Sequence, residues 1–155
     1  RARVTEDIDV FIEDIDYPRF KEFFDTLIAN GYEFLNSSSA EDLFYNYLKE
    51  SLGIRAAKSK TVYPNMEIKA AKSKPDRISL ENPLIAELNG NEIVISPLEL
   101  QIAFKLYLGS RKDIEDARFL FKLFKDDLHY SEIEKYAIDL GCQQRLKFLS
   151  DEYGK

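Results

Sequence analysis

The sequence predicts an α/β fold of the α+β kind, a mixed β-sheet core with a helical C-terminal half, and three observations carry that expectation. Residues 7–12 alternate strictly between polar and apolar up to Phe11, short strand-like segments bounded by turn residues occupy 54–95, and from Ser96 onward apolar residues recur at helical spacing between capping signals. The 155 residues suit one ordinary domain, and no linker-like stretch interrupts them. The expectation is therefore a single domain over 1–155, sheet-rich over 1–95 and helical over 96–155.

The opening strand sets Ile8, Val10 and Ile12 on one face and Asp7, Asp9 and Phe11 on the other. After Pro18, residues Phe20, Phe23, Phe24, Leu27 and Ile28 make a helical stripe that Asn30-Gly31 ends. Ser39, with Asp42 three residues on, reads as an N-cap ahead of Leu43, Phe44, Tyr47 and Leu48. Strands are expected at Ile54–Ala57, Met66–Ala71, Arg77–Leu80, Leu84–Leu88 and Glu92–Ile95, the last two joined by an Asn89-Gly90 hairpin turn. Ser96-Pro97-Leu98-Glu99 offers an N-cap, a proline at the first helical position and a glutamate at the third, so a buried helix should run to Leu108. Ser110 should cap a second helix bearing Ile114, Ala117, Leu120, Phe121 and Phe124. Ser131 to Glu134 forms a further capping box, and a last helix follows Gly141.

The composition, 45% hydrophobic and 32% charged with no tryptophan, is that of a globular chain. No apolar run of about 18 residues and no secretory leader is present, so a cytoplasmic protein without a membrane partner is expected. With one cysteine, Cys142, and one histidine, His129, a Cys/His zinc cluster is excluded, and a Cys-His dyad requires these two to converge. The formal charge of −6 is unevenly spread. Between Arg55 and Arg77 stand Arg55, Lys58, Lys60, Lys69, Lys72, Lys74 and Arg77 against Glu67 and Asp76, a local +5 that leaves −11 elsewhere. The pentapeptide Ala-Ala-Lys-Ser-Lys occurs within this stretch twice, at 56–60 and 70–74.

Asp7 and Asp9, two apart on a strand, share a face and can bridge a hard divalent cation. Mg²⁺ usually takes one or two carboxylates and completes its shell with substrate phosphates and water. Glu67 alternates with the apolar Met66 and Ile68, and it faces the same side if its strand pairs with the first. The competing reading pairs Glu67 with Lys69 or another lysine on an exposed sheet face.

Arg3-Val4-Thr5-Glu6-Asp7-Ile8-Asp9-Val10 resembles the Arg-x-Thr-x-Asp-Ile-Asp signature of the DNA polymerase beta-like nucleotidyltransferase superfamily. Within it, the chain is similar to the abortive-infection toxin type and its uncharacterised archaeal and bacterial relatives. Ser96 to Leu106, followed by Arg111-Lys112-Asp113-Ile114-Glu115-Asp116-Ala117, resembles the family's late lysine-bearing helix and Arg-x-Asp-x-x-Asp element. The resemblance implies Asp7, Asp9 and Glu67 as catalytic acids holding two Mg²⁺ ions, with glutamate standing where the family has aspartate. It also implies Arg3, Thr5, Lys105, Asp113 and Asp116 as nucleotide-binding residues. Lys105 lies on a nearly all-apolar helix and needs an anionic partner, either Asp116 or a triphosphate. For Asp113 and Asp116, the plainer role is to favour a helix N-terminus.

The function so implied is Mg²⁺-dependent transfer of a nucleoside monophosphate from a nucleoside triphosphate to a hydroxyl acceptor. RNA such as tRNA would be engaged by the basic stretch from Arg55 to Arg77, and a toxin would have an antitoxin partner. The alternative is a non-catalytic nucleotide- or nucleic-acid-binding module that keeps the fold. The family's Gly-Ser or Gly-Gly turn before the first strand is not matched here, since no glycine precedes Gly31. Weak nucleotide binding with little transfer by these residues alone is expected on that ground.

Overall fold

The computed structural model describes residues 7–153, and the chain divides into two compact units, residues 1–80 and 81–155. Their content is mixed α/β, with helices concentrated in the C-terminal half.

The first unit contains β1 (Asp7–Ile12), α1 (Tyr17–Ala29), β2 (Tyr32–Phe34), the single turn α2 (Ala40–Asp42), a π-helix (Leu43–Leu48), β3 (Ile54–Lys58), β4 (Asn65–Ala70) and most of α3 (Lys74–Glu81). Its sheet runs in the order β1-β4-β3-β2. β1 lies parallel to β4, and the other neighbours are antiparallel. Asp16 caps α1, its carboxylate accepting from the Arg19 N–H at 3.1 Å. Ser39 caps α2 by accepting from the Asp42 N–H, as its spacing predicts.

The apolar sheet face carries Val10, Ile12, Phe34, Ile54, Ala56, Met66 and Ile68. Phe20 and Phe24 of α1 and Leu43, Phe44 and Leu48 of the π-helix pack on it. Phe20, Leu43 and Ile54 are fully buried, whereas Ile8 is 54% exposed at the start of the edge strand β1. The opposite face therefore takes the odd-numbered polar residues of β1 and β4.

Both copies of the pentapeptide serve the same end. Lys58 Nζ donates to the Asn30 carbonyl, the C-cap of α1, at 2.8 Å, and lies over the Tyr32 ring. Lys72 Nζ donates to the carbonyls of Leu48 (2.8 Å) and Lys49 (2.7 Å), where the π-helix ends, and to Ser51 Oγ (3.1 Å). Each central lysine thus neutralises the negative end of a helix packed on the sheet.

The strand expected at Arg77–Leu80 is instead part of the helix α3. Asp76 accepts from the Ser73 N–H (2.9 Å) and its own N–H donates to Ser73 Oγ (3.3 Å). This reciprocal capping box, with Pro75 in the first turn, commits the segment to a helix.

The second unit contains the hairpin β5 (Leu84–Leu88) and β6 (Asn91–Ile95) and the helices α4 (Leu98–Leu108), α5 (Arg111–Phe124), α6 (Tyr130–Leu140) and α7 (Gln143–Tyr153). Its core gathers Ile102, Leu106, Ala117, Phe121, Ile133, Ala137, Leu146 and Leu149. Gly109, at φ 69°, ends α4, and Arg145 donates across it to the carbonyls of Leu106 (2.6 Å) and Tyr107 (2.9 Å). A side chain at 109 would collide with that guanidinium. The expected caps at Ser96 and Ser131 are not the ones used. Pro97 and His129 hold the cap positions, and the Glu99 carboxylate accepts from the His129 N–H at 3.0 Å.

Candidate functional site

Register decides which acids meet. In the parallel pairing of β1 with β4, Asp7 stands opposite Asn65, Asp9 opposite Glu67 and Phe11 opposite Lys69. In the antiparallel pairing of β4 with β3, Arg55 stands opposite Glu67. One polar face therefore presents Asp7, Asp9, Glu67, Lys69 and Arg55 together.

Lys69 Nζ donates to Glu67 Oε2 at 2.8 Å and to Asp9 Oδ1 at 3.3 Å, and Arg55 Nη2 lies 3.6 Å from Glu67 Oε1. Asp9 is exposed, whereas the Glu67 side chain is only 22% exposed. The Lys69 hydrogen bond holds the Glu67 carboxyl below its usual range, outweighing a burial penalty of opposite sign. The positive charges of Lys69 and Arg55 act in the same direction as that hydrogen bond. For Lys69 the largest single influence is burial, which favours the neutral amine. The Glu67 and Asp9 carboxylates together reverse it and leave the pKa raised.

Gly53 supplies room for this arrangement. A Cβ there would come within 3.2 Å of Glu67 Cγ and Oε1 and 3.3 Å of Lys69 Cε.

The sequence-predicted acids thus meet in part. Asp9 and Glu67 converge on one cation, the Lys69 ammonium, and Asp7 lies exposed two residues upstream on the same face. Among the described residues no group of three or more His, Cys, Asp or Glu side chains is placed to hold a metal ion. As a donor set, two carboxylates that already converge on a cation suit a hard divalent ion completed by phosphates and water. Lys69 Nζ occupies the space between those two carboxylates. Arg3 and Thr5 lie outside the described residues.

Lys105, Asp113 and Asp116 belong to the second unit. Lys105 Nζ of α4 pairs with Asp116 Oδ2 of α5 at 3.1 Å, both side chains partly buried, which is the structural partner the apolar helix requires. Asp113 joins Ser110 in the N-terminal cap of α5, its carboxylate accepting from the Ser110 hydroxyl at 2.5 Å while its N–H donates to Ser110 Oγ. A Cys-His dyad does not form. The Cys142 thiol is buried and donates to the Ala103 carbonyl, burial pushing its pKa up, while His129 faces Glu99.

Several cations of the basic stretch have internal partners: Arg55 and Lys69 on Glu67, Lys58 and Lys72 on helix ends, and Arg77 on the Lys72 carbonyl. Gly53 and Arg55 are the site residues the motif reading does not single out. The signal for Arg55 is its place on a strand opposite Glu67, which a pairing register alone supplies. No helix among the described residues is long and apolar enough to cross a membrane. In comparisons with known proteins, no family model and no curated protein matches the chain.

Proposed function

We propose that this chain is a Mg²⁺-dependent nucleotidyltransferase that moves a nucleoside monophosphate from a nucleoside triphosphate to a hydroxyl acceptor. The observation that carries the reading is the convergence of Asp9 and Glu67, far apart in sequence, on one cation from adjacent parallel strands. Those two carboxylates, with Asp7 on the same face, are the residues that would hold Mg²⁺. When bound, the metal neutralises phosphate charge and eases deprotonation of the attacking hydroxyl. Lys69 and Arg55 hold the Glu67 carboxyl below its usual range. RNA is the proposed acceptor and an antitoxin protein the proposed partner, in keeping with the resemblance to toxin-type transferases.

The test is incorporation of label from α-³²P-labelled ATP, CTP, GTP and UTP into total RNA or protein. Mg²⁺-dependent labelling, however weak, that Asp9→Asn abolishes supports the reading, and a complete absence of both labelling and Mg²⁺-dependent nucleotide binding with all four nucleotides refutes it. The second reading, a non-catalytic nucleotide- or nucleic-acid-binding module, draws on the neutralisation of Asp9 and Glu67 by Lys69. It predicts nucleotide-dependent thermal stabilisation without label transfer.

A further inference from the structure

We propose that the outer edge of β6 is a docking strand for an extended segment of a partner protein, one that sets a basic residue beside a run of apolar ones. Asn89 and Gly90, at φ 54° and 79°, form the left-handed two-residue turn that matches strand twist, so local chemistry alone closes the hairpin. Its sheet holds β5 and β6 only, and among the described residues none of their side chains joins either hydrophobic core. Register sets Ile85 opposite Val94 on one face, where they are 62% and 70% exposed, and Leu84, Leu88 and Ile93 lie exposed on the other. A two-stranded hairpin is marginal in water, and one with apolar residues open on both faces calls for cover.

Charge selects what covers it. Glu87 and Glu92 stand directly opposite each other on the Ile85–Val94 face, both exposed, and neither has a cation partner among the described residues. Like charges so placed weaken a strand pair, and a third strand carrying a cation opposite Glu92 relieves the repulsion. A second copy of the hairpin would bring two more carboxylates and no cation, since none stands between Leu84 and Ile95. The strand-borne Arg55, Lys58 and Lys69 of a second copy already have partners in the first unit. Nucleic acids and anionic lipid surfaces are repelled by the same two acids. β6 is the edge used, because Ile93, Val94 and Ile95 are consecutive β-branched residues, whereas Ala86 and Glu87 interrupt the apolar run of β5. Added antiparallel to β6, the partner segment pairs its main chain with that edge and reads apolar opposite Ile95, Val94 and Ile93 and basic opposite Glu92. This surface does not depend on the proposed transfer reaction.

The experiment is fluorescence anisotropy of a fluorescein-labelled peptide containing Val-Ile-Val-Arg-Thr, titrated with the whole chain, beside a second peptide in which glutamate replaces the arginine. The chains are the parent, Glu92→Lys and Val94→Thr, each verified as folded by circular dichroism; threonine keeps the β-branch while removing apolar surface. The parent should bind the arginine peptide saturably and the glutamate peptide about tenfold more weakly. Glu92→Lys should reverse that order, and Val94→Thr should weaken the arginine peptide severalfold. Absence of saturable binding of the arginine peptide to the parent overturns the proposal, as does equal binding of the two peptides or an order that Glu92→Lys leaves unchanged. Sedimentation equilibrium tests the other occupant: a dimer of the parent that Val94→Thr dissociates would show that a second copy covers the hairpin and overturn the assignment to a basic partner segment.

Discussion

Replacing Lys72 by methionine keeps the aliphatic stem and removes an ammonium that donates to the Leu48 and Lys49 carbonyls and to Ser51 Oγ. A cation at a helix C-terminus contributes about 0.3–1 kcal/mol when exposed and up to about 2 kcal/mol when partly buried. Lys72 is half-buried and has two helix-terminal carbonyls within 2.8 Å, so the upper part of that range applies, about 1.5–2 kcal/mol. Lys58→Met is the matched control. That residue is exposed, has one carbonyl contact at 2.8 Å and sits 4.5 Å from the Tyr32 ring centroid, which together are worth about 0.5–1 kcal/mol. The assay is urea denaturation followed by far-ultraviolet circular dichroism, comparing midpoints at a common slope. A loss in Lys72→Met no greater than that in Lys58→Met would refute the argument that the repeated pentapeptide supplies helix-end counter-charges of graded burial. The same pair bears on nucleic-acid binding, because lysines held to helix ends are less available to a polyanion. Changing Lys58, Lys60, Lys72 and Lys74 together to Gln should therefore flatten the salt dependence of RNA binding by less than four full phosphate contacts.

The remaining predictions concern the two ion-paired sites. Glu67 has a lowered pKa, so its contribution to stability is complete above the ordinary carboxylate pKa of about 4.3 and is lost as pH falls through the lower folded value. Lys69 has a raised one, so its contribution is complete below about 10.4 and is lost as pH rises through the higher folded value. Urea midpoints measured across pH should show the acid limb flattened in Glu67→Gln. Gly53→Ala should leave the fold in place while displacing Glu67 and Lys69 by a few tenths of an ångström, and nucleotide-dependent Mn²⁺ binding should weaken without a matching loss of stability. For Lys105 and Asp116, a double-mutant cycle of Lys105→Met and Asp116→Asn should return a coupling of about 1–2 kcal/mol in urea unfolding, as befits a partly buried pair. A negligible coupling would remove the structural role assigned to that pair.

Much of the architecture was written in local patterns. The alternation in β1 and the apolar stripes of α1 and α5 are periodic signals over five residues or more, the Asn89-Gly90 pair is a two-residue turn signal, and each corresponds to an element. β2 spans three residues, too few for any period to emerge, and it exists because β3 offers it an edge. In α3, alternation of Ile78 and Leu80 imitates a strand, while Ser73 and Asp76 carry the contrary capping signal. The cap of α6 at His129 differs from the expected Ser131 because Glu99, thirty residues from His129 in sequence, takes over the N–H at the start of that helix. At the site, the shared face of Asp7 and Asp9 follows from strand geometry alone. That Glu67 joins Asp9 follows only from the parallel register, and that Arg55 reaches it follows from a cross-strand neighbour no short motif encodes, whereas the Glu67–Lys69 pair, two residues apart on β4, is the competing reading the sequence already offers. Lys105 illustrates the other case, since an ammonium on an apolar helix demands an anion and Asp116 provides it.

Under the proposed function, Asp9 and Glu67 form a site for a metal-bound nucleotide. The most direct measurement is electron paramagnetic resonance of Mn²⁺ titrated with the chain in the presence of ATP, for the parent, Asp9→Asn and Glu67→Gln. Such a site gives a protein-bound Mn²⁺–nucleotide signal in the parent that weakens about tenfold or more in each folded variant. A parent that leaves the Mn²⁺–ATP spectrum unchanged, or variants that bind as the parent does, would contradict it.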